Sequence, residues 1–127
     1  MKDYVVWLDS KNAHVFALKT TGIEKSVVRK NDKARPPHNK HDQDVDINVE
    51  HYYRDLATRL KDADHLLLMG PGLAKNQFKD HLAAHQAETL AKKIIGLENF
   101  ESFEHKTEKQ MMARARQFFK TYDLLNN

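Results

Sequence analysis

The segment Leu66–Leu67–Leu68–Met69–Gly70–Pro71–Gly72 constrains this chain more than any other. Four apolar residues in a row, too few for a helix, read as a strand buried on both faces. Gly-Pro-Gly ends the run abruptly, and from Leu73 a helical pattern takes over with Lys75 in its first turn. The chain therefore turns sharply from a buried strand into a helix. Backbone N–H groups at such a turn, together with the positive end of the helix, can hold an anion. Gly70, Gly72 and Lys75 are accordingly the candidate anion-binding turn, which could hold a phosphate. The turn also has a purely structural role, because Gly72 permits it and Pro71 preorganises it.

The rest of the chain arranges itself around that strand. Residues 3–9, 13–19 and 23–29 are rich in β-branched and aromatic types and are separated by short polar turns, which predicts an antiparallel three-stranded meander. Residues 30–45 hold only Ala34 and Val45 as non-proline apolar residues and carry Pro36-Pro37, so a long loop is expected there. Val49, Tyr52, Tyr53, Leu56 and Leu60 form a helical stripe over 47–61, with Asp46 as N-cap. The strand at 65–69 follows, then a helix over 73–84 with Leu73, Phe78 and Leu82 inward. A second helix is expected near 86–93 and a fifth strand over 94–103. Thr107 and Gln110 make a capping box for a final helix. The predicted class is α+β, in the order β-β-β-α-β-α-α-β-α, a ribonuclease H-like mixed sheet. With 127 residues, a single domain over 1–127 is the expectation.

Charge is unevenly distributed. Between Lys25 and Lys40 there are six bases (Lys25, Arg29, Lys30, Lys33, Arg35, Lys40) and one acid, Asp32. The stretch that follows reverses sign with Asp42, Asp44, Asp46 and Glu50. The basic part suits a polyanion. Arg29, Lys30, Lys33, Arg35, His38, Lys40, His41 and Lys75 are the candidate nucleic-acid contacts. The chain has no cysteine, which excludes disulfides and thiolate metal sites. Its N-terminus lacks a signal-peptide pattern and no apolar run approaches a membrane span, so a cytoplasmic location without membrane contact is expected.

Catalytic constellations are incomplete. A two-metal nuclease needs converging carboxylates. Asp9 with Glu50 or Asp55 could supply two, but the fourth strand ends in Met69-Gly70 where another is wanted, and Asp64 sits at its wrong end. Asp9 is better read as the acid that shapes the turn at Ser10–Asn12. His38 and His41 with Asp42, Asp44 and Asp46 match no strong metal motif. His81 and His85 are spaced i, i+4 on a helix but lack the Glu of a zinc-protease motif. His14, His51, His65 and His105 have no evident partner. No cofactor or resident metal is expected, and a nucleophile elbow and a phosphate-binding Gly-Lys-Ser/Thr loop are both missing.

The segment Leu67-Leu68-Met69-Gly70-Pro71-Gly72-Leu73-Ala74-Lys75-Asn76-Gln77-Phe78 resembles the strand–turn–helix signature in the central domain of archaeal and eukaryotic class-1 peptide-chain release factors and of Pelota. Bacterial stand-alone proteins of this type are described as release-factor-like or translational machinery proteins. The resemblance implies a ribonuclease H-like fold and a ribosome, tRNA or ribosomal RNA partner. In release factors, the loop between the meander and the first helix bears a catalytic Gly-Gly-Gln. The corresponding segment here, residues 30–45, has no glycine, and Gln43 stands alone. The implied function is translation-associated binding of RNA or the ribosome without catalysis, in ribosome rescue or a release-related process. A metal-dependent nuclease, a peptidyl-tRNA hydrolase and a protein-interaction module, with a dimer through the edge of the meander, are the alternatives.

Overall fold

A computed structural model of the chain describes residues 2–31, 47–85, 89–101 and 105–126. The strands are β1 (Asp3–Leu8), β2 (Asn12–Lys19), β3 (Gly22–Arg29), β4 (His65–Gly70) and β5 (Ile94–Asn99). The helices are α1 (Ile47–Arg59), α2 (Ala74–His85) and α3 (His105–Asn126). The strands form one mixed sheet in the order β3-β2-β1-β4-β5. β1 pairs antiparallel with β2 and β2 with β3, whereas β1–β4 and β4–β5 are parallel.

The two central strands explain the sheet. Val5, Val6, Trp7 and Leu8 are all buried, as are Leu66, Leu67, Leu68 and Met69. Alternate side chains of each strand face opposite sides of the sheet, so a strand covered on both faces needs an unbroken apolar run. Val6, Leu8, Leu66 and Leu68 pack with Tyr52, Tyr53 and Leu56 of α1 and with Phe78 and Leu82 of α2. Val5, Trp7, Leu67 and Met69 pack on the other face with Met111, Met112, Ala115 and Phe119 of α3. The molecule is thus three layers, with α1 and α2 on one face and α3 on the other. Each fully buried Leu or Phe contributes about 1.5–3 kcal/mol to holding those layers together. Trp7 ties the second face to the end of β5, its indole N–H donating to the Phe100 carbonyl at 3.0 Å.

Several local expectations need correction. Leu73 does not face inward: it is 68% exposed, because the helix proper begins at Ala74 and Leu73 belongs to the turn. The segment expected as a second helix contains a short 3-10 turn at Leu90–Lys93, and β5 ends at Asn99, short of residue 103. α3 starts at His105, so Thr107 lies inside its first turn rather than capping it. Asp46, expected as the N-cap of α1, lies outside the described residues. Among those residues no helix is long and apolar enough to cross a membrane.

The edge strand β3 carries exposed Glu24, Lys25 and Arg29. Lys25 pairs with Glu108 of α3 at 2.5 Å, and Glu24 with Lys19 at 2.9 Å. A charged edge opposes strand addition.

Candidate functional site

Strands β1, β3, β4 and β5 run in the same direction, so their carboxyl ends line one edge of the sheet. In open α/β sheets the crevice beyond that edge is the usual place for ligands. Three connections meet there: the hairpin at Ser10–Lys11, the chain leaving Arg29 for α1, and the Gly-Pro-Gly turn.

Asp9 organises the hairpin. Its Oδ1 accepts hydrogen bonds from the backbone N–H of Lys11 at 2.8 Å and of Asn12 at 2.7 Å. This is the turn-shaping role expected of it. The Asp9 carbonyl accepts the Tyr52 hydroxyl at 3.0 Å, which ties α1 to the same edge. Burial, reinforced by the charge of Asp9, pushes the Tyr52 phenol well above its usual range. Its hydroxyl therefore stays protonated and keeps donating.

The Gly-Pro-Gly turn is fixed by close packing. A Cβ on Gly70 would lie 2.1 Å from the Leu8 carbonyl oxygen, and Gly70 has φ +141°. Only glycine lets β4 pass so close to β1. Gly72, at φ +58°, takes the left-handed conformation with open space around it. Lys75 is buried, at 4% exposure. Its Nζ donates to the Gly72 carbonyl at 2.7 Å. The lysine is folded back to close the turn from within, and a contact with an external phosphate would require it to leave that position.

The basic candidates divide. Arg29 is exposed at the end of β3 and Lys30 is half-buried, its backbone N–H bonded to the Lys11 carbonyl at 2.8 Å. Lys11, exposed on the neighbouring hairpin, adds a cation that sequence reasoning did not single out. Its place opposite the end of β3 follows from the Asn12–Arg29 register. Lys33, Arg35, His38, Lys40 and His41 lie outside the described residues.

Among the described residues the nuclease carboxylates form no cluster of three. Asp9 is committed to its turn, and Asp64, at the opposite end of β4, accepts the Lys2 backbone N–H at 2.6 Å. Glu50 instead joins His81 and His85. One ligand atom from each of the three lies within 4.8 Å of the others, and no other such group of three or more occurs among the described residues. His81 is set between neighbours on both helices, with ring centroids 5.7 Å from Tyr53 and 4.6 Å from His85, and it stacks on Phe78. Burial, then the neighbouring His85, lowers its pKa from the usual 6.5, against an opposing effect of Glu50. Two histidines without evident partners in the sequence also have them here. His14 meets the Trp7 ring edge-on, and His65 Nδ1 lies 2.9 Å from Asp3 Oδ1.

No family profile matches the chain. No curated protein sequence matches it either. Solved structures do. Archaeoglobus fulgidus Pelota superposes with a TM-score of 0.63 at 21% identity, over 89% of this chain and 31% of that one. The archaeal translation termination factor aRF1 gives 0.60 at 16% identity, over 97% of this chain and 40% of that one. Saccharomyces cerevisiae Dom34, a translation termination-like factor involved in RNA quality control pathways and interacting with Hbs1, gives 0.59 at 10% identity, over 87% and 31%. The chain thus spans between about a third and two fifths of the length of these proteins. Its three-layer sheet, closed at β4 by the Gly-Pro-Gly turn, has the fold of a domain found in Pelota, Dom34 and archaeal release factor aRF1.

Proposed function

We propose that this chain is a translation-associated domain that binds RNA or the ribosome without catalysing a reaction. One observation carries the reading: in a fold shared with translation termination-like factors, the described bases Lys11, Arg29 and Lys30 gather at the carboxyl edge of the sheet, where the most basic stretch of the sequence begins. The chain continues from them through Lys33, Arg35 and Lys40. Lysine and arginine there would pair with phosphate oxygens, and the resulting affinity would fall steeply with salt. Lys25 shares its charge with Glu108, and Lys75, bonded to the Gly72 carbonyl, would have to swing out to join this contact set.

The non-catalytic part of the reading rests on chemistry. The segment 30–45 has no glycine and no Gly-Gly-Gln. Among the described residues, Asp9, Glu50, Asp55 and Asp64 form no cluster of three ligands, and Glu50 groups with His81 and His85 instead, which supports that reading. A role in ribosome rescue or a release-related step, in a soluble cytoplasmic setting, belongs to the same proposal.

The test is sedimentation of the purified chain through a sucrose cushion with ribosomes at low and moderate salt. Wild type is expected in the ribosomal pellet at low salt and in the supernatant at moderate salt. A Lys33/Arg35/Lys40→Ala variant is expected in the supernatant at both. If wild type stays in the supernatant throughout, ribosome binding fails; if the variant pellets like wild type, the basic segment is not the contact.

A further inference from the structure

We propose that Glu50, His81 and His85 form a binding site for a divalent transition-metal ion, with zinc the best-matched candidate. The site lies on the α1–α2 face and is independent of the ribosome-binding reading. His81 and His85 are one helical turn apart, so their rings project from the same side of α2. Glu50, in the first turn of α1, supplies the carboxylate that lies with the two imidazoles. The three ligand atoms already lie within 4.8 Å of one another. Tetrahedral zinc, with bonds of about 2.0–2.2 Å, needs its ligands roughly 3.3–3.5 Å apart. Small rotations of three partly exposed side chains cover that difference.

The donor set selects the ion. Two imidazoles and one carboxylate suit zinc, cobalt or nickel, whereas magnesium and calcium prefer all-oxygen shells. A fourth position would remain open to water, because His85 is exposed and Glu50 and His81 are half-buried. Preorganisation comes from the aromatic surroundings. Tyr53 and Phe78 flank the His81 ring, and the Tyr53 hydroxyl donates to Gln77 Oε1 at 3.1 Å, locking the two helices at this crossing. Arg54 is the opposing charge that faces His81. It is exposed, so water and salt screen its repulsion of an ion. A bound ion would cross-link the first turn of α1 to the last turns of α2.

The test uses the full chain stripped with a chelator and titrated with zinc by calorimetry, with cobalt as a spectroscopic probe. One equivalent of zinc is expected to bind and to raise the melting temperature, magnesium is expected to do neither, and cobalt should develop the visible bands of a tetrahedral site. His85→Ala and Glu50→Gln, both at side chains that are not part of the core, should each weaken zinc at least about 10-fold while leaving the circular dichroism of the metal-free protein unchanged. A His38→Ala/His41→Ala variant separates this site from the other histidine pair and should bind zinc like wild type. The proposal is overturned if wild type takes up no zinc, if His85→Ala and Glu50→Gln retain wild-type affinity, or if binding is lost in the His38/His41 variant instead.

Discussion

Two connections leave the same edge of the sheet and do opposite things. The one from β4 to α2 takes three residues, Pro71, Gly72 and Leu73, and the groups that flank it serve packing. Gly70 lets β4 pass the Leu8 carbonyl, and Lys75 turns its charge inward to the Gly72 carbonyl. The one from β3 to α1 spends residues 30–46 on charge, proline and histidine, with almost nothing to bury. The difference teaches that a distinctive motif and a functional surface need not coincide. The turn marks the fold, and the basic connection that leaves β3 carries the contacts we propose.

Substitution at the turn should break the fold. Gly70→Ala places a methyl group in the Leu8 carbonyl and holds alanine at a positive φ, so we expect a loss of roughly 3–5 kcal/mol in urea unfolding. A cost under about 1 kcal/mol would mean the two strands can part freely, and the contrast between the connections would collapse. Lys75→Met keeps the apolar stem but removes the ammonium from the Gly72 carbonyl. Its expected cost is about 2 kcal/mol, with no change in ribosome sedimentation. Gly72→Ala, strained but unobstructed, should cost about 1 kcal/mol. The Lys33/Arg35/Lys40→Ala variant should show the mirror image, shifting stability by less than about 0.5 kcal/mol while abolishing sedimentation with ribosomes.

Acid should weaken the packed part of the molecule slightly. Burial lowers the pKa of His14 and of His81 below the usual 6.5. The unfolded chain then binds more protons than the folded one between those lowered values and 6.5. Stability is therefore fully present above about pH 6.5 and declines as pH falls through that window. Urea midpoints between pH 8 and 5 should show the decline, and His14→Phe should reduce it. A flat profile would mean that these imidazoles can charge in place.

Much of the fold was legible because it depends on local patterns. The unbroken runs Val5–Leu8 and Leu66–Met69 require a strand covered on both sides, and the stripe of Tyr52, Tyr53 and Leu56 requires a helix against it. What was not legible depends on three-dimensional choice. A lysine in the first turn of a helix can reach outward to an anion or back to a carbonyl, and the Lys75 sequence context does not distinguish these. Leu73 looks inward by helical spacing, yet the turn holds it out in water. Thr107 has the right neighbours for a cap, but α3 begins two residues earlier, at His105. The cluster of Glu50 with His81 and His85 joins two helices that only the parallel β4 and its flanking crossovers bring together. Its one signal in the sequence was the i, i+4 histidine pair, which without its carboxylate matched no motif.

The most direct test of the central claim is the affinity of the chain for purified ribosomes measured across a salt series. Plotted as the logarithm of affinity against the logarithm of salt concentration, wild type and Lys75→Met should share one steep negative slope. The Lys33/Arg35/Lys40→Ala variant should be shallower by roughly 2–3, at about 0.7–0.9 for each phosphate contact removed. If Lys75→Met flattens the slope and the triple variant does not, the turn is the contact surface and the division of labour drawn between the two connections is wrong.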